Sequence, residues 1–431
     1  MNAPRLLACL LLLTLSPMAN ALGNALPSLP AESSQVAASR IHDEPWMAEL
    51  QRHLRLSPGF LGLLPDGTHL HALFAGDAPA LSTVPAPWRL EAVPHAQARP
   101  MLLPLPPGAR VEPTPASAPI HRSVVPALAW NDGIGPGAHI YMDFQGTGNP
   151  QFLCTSNYVW KDQDGTLYLG AAGHCFLPAG STATVNAGPD GDVGPGQPGA
   201  KDSSKHNFWA CWQDCWLGGV AGGLMQDVVL PNAVKLGPVA YARQKMDGKD
   251  IGNDFGLITI PRHLYADVDP SIPVWGGPRG TTTTRIGEQL LIHGNGNTDG
   301  ETFATKSRTG ASLGDNGDGS FSAALKSSGG DSGAPITTTT GFGAPRAVGL
   351  LTHGIQLPVV RSGLGYILGT TVAQAQKMAL QASLCIAPLE AGQDPLAVQP
   401  APEGDACRRA NATPVGSPRL TITAPAHGST V

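Results

Sequence analysis

Between residues 121 and 385 the apolar residues come in runs too short to build helices. Leu167–Ala172, Val228–Leu230, Phe255–Ile260, Gln289–His293 and Ala347–Thr352 alternate with Gly-rich connections. Apolar runs of this length, bounded by turn residues, read as strands. Many short strands can bury their apolar side chains only by stacking or closing sheets, so the region is expected to be all-β, a barrel or a sandwich. Asp162-Gln-Asp164-Gly165 reads as a hairpin turn leading into one strand. Thr371–Leu384 is the good helix candidate, with Val372, Ala375, Met378, Ala379 and Ala382 at helical spacing. The 53 Gly and 41 Pro of the 431 residues supply the turns and long loops such a chain needs.

The flanks differ from this region. Residues 1–21 read as a secretory signal: Arg5, then the apolar run Leu6–Leu15, then Ala19-Asn20-Ala21 as a cleavage site. Export follows, to the extracellular space or the periplasm. Residues 22–120 form a leading segment with an amphipathic helix around Glu44–Leu56 and ten prolines between 85 and 119. So many prolines exclude a helix or a central strand there, and the run reads as an extended linker. The main domain is assigned to 121–385 and a Pro/Ala-rich tail to 386–431. The formal charge of −5 gives no reason to expect nucleic acid or an anionic membrane as partner, and no run after the signal reaches eighteen apolar residues.

Seven Cys occur, and Cys9 leaves with the signal. The six that remain, Cys154, Cys175, Cys211, Cys215, Cys385 and Cys407, are an even set in an exported chain and suggest disulfides. Pairing of neighbours is the simplest of the fifteen connectivities. Cys211 and Cys215 could instead begin a zinc site, but no second ligand pair follows at suitable spacing, so no metal is expected. A Gly/Pro loop at 188–200 and the Trp209, Trp212, Trp216 cluster around this Cys pair read as a stapled insertion over the domain surface. Asp315-Asn-Gly-Asp318 lacks the ligand spacing of a calcium loop and reads as a polar turn.

Three segments carry chemistry, in a telling order. Gly173-His174-Cys175 ends an apolar run, Asn253-Asp254 begins another, and Gly329-Gly330-Asp331-Ser332-Gly333 sets a serine among glycines. A serine hydroxyl is a poor nucleophile at neutral pH and needs an imidazole to take its proton. A carboxylate must fix that imidazole's tautomer, and backbone N–H groups must meet the oxyanion that forms. Glycines beside Ser332 would let the backbone turn its amides toward one point.

These segments resemble the signatures of the chymotrypsin/trypsin-like serine peptidases, and Ala172-Gly173-His174-Cys175 is most similar to their bacterial secreted branch. The resemblance covers roughly residues 121–385. It implies two six-stranded antiparallel β-barrels with a C-terminal helix, and a secreted endopeptidase acting through an acyl-enzyme on protein or peptide substrates, without a cofactor. His174 would be the base and then the acid, Asp254 its orienting carboxylate, and Ser332 the nucleophile. The N–H groups of Gly330 and Ser332 would form the oxyanion hole. Lys326 would lie at the base of the primary pocket and Gly354 on its wall, and a buried lysine there could favour acidic side chains. Thr352 falls where the family places a hydroxyl supporting the carboxylate. Cys154 and Cys175 would form the disulfide beside the His, closing a loop worth on the order of 3 kcal/mol in the entropic model. The animal-type start Ile-Val-Gly-Gly is absent, which leaves the partner of Asp331 open. The leading segment fits a propeptide, removed on maturation and serving as inhibitor or folding chaperone.

Two rivals belong to other classes. A catalytically inactive protein of the same fold could serve as an extracellular binding or adhesion module; the presence of all three polar residues and both amide positions weighs against it. An esterase of the nucleophile-elbow type would want Gly-x-Ser-x-Gly followed by the acid and the His. Here Gly333 directly follows Ser332 and both partners precede it, so that fold is rejected.

Overall fold

The computed structural model describes residues 44–397, apart from 67, 114–132, 178–183, 186–205, 213–214, 216, 222–223, 245–250, 297–305, 340–343 and 357–364. The segment read as a signal, the tail beyond 397, Trp216 and Cys407 therefore lie outside the described residues. The short apolar runs form strands, among them Leu167–Ala171, Phe255–Thr259 and Gln289–His293. No described helix is long and apolar enough to cross a membrane.

The carboxy-terminal half closes a six-stranded antiparallel barrel. Its ring runs Pro335–Thr338, Gln289–His293, Ser307–Asp315, Ser320–Ala324, Tyr366–Thr371 and Arg346–Gln356, and the last strand returns to pair with the first. Closure removes the unpaired edges that short strands would otherwise expose. Leu290, Ile292, Phe321, Leu325, Ile336 and Leu351 fill its interior. Helix α1 (Met47–Arg55) lies in the leading segment and α2 (Val372–Gln381) follows the barrel. The side chain of Thr371 caps α2 by accepting from the Gln374 amide, and Val372, Ala375, Met378 and Ala379 bury one face.

The strands of the amino-terminal half pair into two sheets. One runs through Val239–Arg243, Phe255–Thr259, Leu167–Ala171 and Val159–Asp162; the other has His139–Asp143 between Asn207–Cys211 and Phe152–Thr155. Where two closed barrels were expected, the pairings among the described residues close one ring only. The chain turns at Ser156–Tyr158, so that the consecutive strands Phe152–Thr155 and Val159–Asp162 join different sheets. The Trp/Cys region also departs from expectation. Trp209 and Cys211 lie on Asn207–Cys211, a central strand of that sheet, rather than on a surface insertion, and both are buried.

The described part of the Pro-rich run, up to Pro113, is extended, but it is bound and does not hang free. Gln97–Pro100 pairs antiparallel with the outer end of Arg346–Gln356, and Leu103–Pro104 pairs with Phe152–Thr155. Prolines are tolerated in both because each strand lies at a sheet edge, where one side of the backbone needs no partner. Farther upstream, Leu61, Leu64 and Leu73 pack with Leu313, Tyr366 and Leu368 of the barrel. The leading segment is thus anchored on the carboxy-terminal barrel and then crosses from that half to the other.

Candidate active site

The candidate residues sit where the two halves meet. His174 lies in a single 3-10 turn, Gly173–Cys175, that ends the strand Leu167–Ala171. Asp254 immediately precedes the neighbouring strand Phe255–Thr259, which pairs with Leu167–Ala171. Two adjacent strands thereby bring the imidazole and the carboxylate together, although 80 residues separate them. Ser332 comes from the other half, on the turn leading into Pro335–Thr338.

The three side chains form one hydrogen-bonded line. His174 Nδ1 is 2.7 Å from Asp254 Oδ2, and His174 Nε2 is 2.7 Å from Ser332 Oγ. The backbone N–H of His174 donates to Asp254 Oδ1 at 3.0 Å, so both carboxylate oxygens are engaged by one residue. All three residues are buried. Burial alone would raise the Asp254 pKa, but the charge and hydrogen bonds of His174, aided by His353, outweigh it and hold the carboxyl below its ordinary range.

His353 was not singled out in the sequence. Its Nδ1 is 3.7 Å from Asp254 Oδ2, and burial lowers its pKa to about 4, so the ring beside the carboxylate is neutral. The hydroxyl of Thr352, expected to support Asp254, instead donates to the Leu368 carbonyl at 3.2 Å and lies 2.9 Å from His353 Nδ1. The strand's bulge between Leu351 and His353 shifts the register at this point.

The N–H groups of Gly330 and Ser332 converge on a single oxygen, the carbonyl of Met101, at 2.5 and 3.2 Å. Gly330 adopts φ +102°, a conformation that disfavours any side chain, and this turn of the backbone aims its amide at the shared point. The buried Asp331 holds the turn from behind. Its Oδ1 accepts from Arg308 at 2.8 Å and from the Gly296 amide at 2.7 Å, and its Oδ2 accepts from the Ser328 amide at 2.8 Å. The partner of Asp331 is therefore Arg308, an internal side chain. Neither Arg308 nor Met101 carried a sequence signal, because each acts through contacts with distant parts of the chain.

Of the two pocket candidates, Lys326 is half-buried, and Gly354 lies against Met101. A Cβ on Gly354 would stand 2.5 Å from Met101 Sδ, so the side chain occupies the space that glycine leaves open. Met101 also packs on the apolar barrel interior. Cys154 and Cys175 are joined beside His174, and Cys211 is joined to Cys215, so neither pair offers free thiolates to a metal. Cys385 is also disulfide-bonded. A cavity of about 610 Å³ lined by Trp209, Lys235, His263 and Leu264 contains none of the three aligned residues.

No family model matches the chain, and no curated protein matches it. Similar solved structures include a Nocardiopsis protease, 12% identical over 59% of this chain and 97% of that one, TM-score 0.28. The Rv3671c protease of M. tuberculosis in its active form is 13% identical over 67% and 95%, TM-score 0.29. The serine protease of a human pathogenic astrovirus is 14% identical over 59% and 96%, TM-score 0.27. At TM-scores this low the likenesses add no weight to the distances above.

Proposed function

We propose that the protein is a secreted serine endopeptidase of the chymotrypsin-like type. The observation that carries this reading is the 2.7 Å contact at each nitrogen of His174 together with two backbone amides converging on one carbonyl oxygen. In this reading Ser332 Oγ attacks a peptide carbonyl while its proton passes to His174 Nε2. Asp254 keeps the proton on Nδ1 and stabilises the imidazolium. The developing oxyanion takes the place now held by the Met101 oxygen, between the Gly330 and Ser332 amides, where each donor is worth about 3–4 kcal/mol of barrier stabilisation. His174 then protonates the departing amine, and water hydrolyses the ester in the mirror-image step.

The domain assignment belongs to the same proposal: a signal at 1–21, a propeptide within 22–120, a peptidase domain of two barrels at 121–385, and a tail. Protein or peptide substrates are supported by the extended backbone that pairs on both sides of the serine, Gln97–Pro100 with Arg346–Gln356 and Leu103–Pro104 with Phe152–Thr155. The test is covalent labelling with a fluorophosphonate after the leader has been removed by limited proteolysis. Labelling at Ser332, abolished in His174→Ala, is the expected result. An unreactive Ser332 in the leader-free protein would instead support the inactive binding module.

A further inference from the structure

Residues 97–105 of the leading segment lie across the serine as an extended substrate lies. On one side of Met101, Arg99 pairs with Gly354, Pro100 with His353, and Ala98 with Ile355, antiparallel to the pocket strand. Met101 N donates to the Thr352 carbonyl at 3.3 Å, and the Met101 oxygen sits between the amides of Gly330 and Ser332. On the other side, Leu103 pairs with Leu153 and Pro104 with Phe152 of the amino-terminal half, and Leu105 N donates to the Gln151 carbonyl at 2.8 Å. Both flanks of one peptide bond are therefore held in extended conformation by opposite halves of the molecule. The carbonyl of that bond faces the two amide donors nearest Ser332.

The residue types fit the placement. Donors toward one neighbouring strand alternate along an extended chain, so with Met101 N facing Thr352, the nitrogen of Pro100 faces away and its missing N–H costs no ladder bond. The residue after Met101 is Leu102, whose nitrogen leaves as a primary amine once His174 has returned a proton to it. The unbranched, uncharged Met101 side chain fills the space beside Gly354 and rests on the apolar barrel interior. Arg308 already satisfies Asp331, so the amide donors are aligned before any new chain end exists.

We propose that the Met101–Leu102 bond is the self-cleavage site of this chain, and that the primary pocket selects an uncharged apolar side chain of about methionine size. This inference rests on the peptidase reading and extends it to a bond and a specificity. Ser332 Oγ bonds to the Met101 carbonyl carbon as its proton moves to His174. The C–N bond to Leu102 then breaks, and His174 returns the proton to the Leu102 nitrogen. Water hydrolyses the Met101 ester, leaving a leader that ends in the Met101 carboxylate and a mature chain that begins at Leu102. The acidic-pocket alternative raised by Lys326 has no support in an occupant that carries no charge.

The experiment uses the full chain, wild type beside Ser332→Ala, followed by intact mass and amino-terminal sequencing. The expected result is a wild-type product starting at Leu102 at a rate independent of protein concentration, with Ser332→Ala intact. Met101→Asp should slow release by about 10²-fold, the scale on which a mismatched pocket discriminates, while Met101→Leu stays near wild type. Cleavage of Ser332→Ala at the same bond would overturn the inference, because another peptidase would be responsible. A wild-type chain cut elsewhere, or left intact while the leader-free protein still labels at Ser332, would overturn it and leave the peptidase reading standing. An unlabelled Ser332 in the leader-free protein would remove both.

Discussion

At Asp254 the two carboxylate oxygens have different duties. Oδ1 accepts the backbone N–H of His174 and Oδ2 faces its Nδ1. In Asp254→Asn the amide oxygen would keep the backbone bond, because the backbone can only donate. The amide nitrogen would then face Nδ1 and force it to accept, which places the imidazole proton on Nε2. A ring protonated there cannot take the proton of Ser332. We expect kcat on a peptide substrate to fall by ~10⁴-fold, with the urea midpoint close to wild type because the shape and burial of the side chain are kept. A loss below about tenfold would mean that His174 is not oriented from this side. The same site shows how a residue escapes a sequence reading. Thr352 was singled out by position, yet its hydroxyl serves Leu368, and the ring nearest the carboxylate belongs to the next residue, His353. A single bulge decides which of two neighbours faces the site, and a bulge leaves no signature in a run of apolar residues.

Among the elements, the turn Gly329–Gly333 depends on a strand it does not belong to. Arg308, on the strand Ser307–Asp315, reaches Asp331 behind the serine and forms an ion pair with a fully buried carboxylate. Removing one partner of a buried pair leaves the other charge uncompensated and costs about 3–5 kcal/mol. Arg308→Met should therefore lower both the urea-unfolding stability of the Ser332→Ala chain and the rate of fluorophosphonate labelling in the Ser332 chain. Because the pair is internal, a mature chain extended by one amino-terminal residue should keep its peptidase rate. Loss of activity on extension would show that a free chain end is needed after all. The strands and the three motif segments were legible because each carries a local pattern, whether an apolar run between turns, a glycine before His174, or glycines around Ser332. The ion pair of Arg308 with Asp331 and the seating of Met101 were not, since neither segment carries a motif and each contact joins distant parts of the chain. The prolines of the leader did announce an extended chain, but nothing local to them says whether such a chain is free or bound.

Across the whole molecule, three buried histidines link the fold to pH. His139, His293 and His353 all have their pKa lowered, chiefly by burial; His293 falls to about 3 and His353 to about 4. Each is neutral in the fold and accepts or donates within it: His139 to Tyr141 at 2.9 Å, His293 to Ser307 at 2.8 Å, and His353 to Thr352 at 2.9 Å. In the unfolded chain each binds a proton near its ordinary pKa of about 6.5. Between pH 4 and 6.5 the unfolded state thus holds more protons than the native state, so stability rises with pH through that window and falls as the solution is acidified. Asp254 acts with the same sign but lower down, because its depressed pKa matters only as pH falls through the ordinary carboxylate range. At pH 5 its contribution is already in place, which leaves the histidines to set the slope. Urea unfolding of the Ser332→Ala chain at closely spaced pH values near 5 should give a stability slope of about 1.4 kcal/mol per pH unit for each neutral histidine. The double variant His293→Gln, His353→Gln should lose about two such increments while the remaining slope persists. An unchanged slope in that variant would mean the two rings are already protonated in the folded protein, and the account of how this core tolerates its polar residues would have to be abandoned.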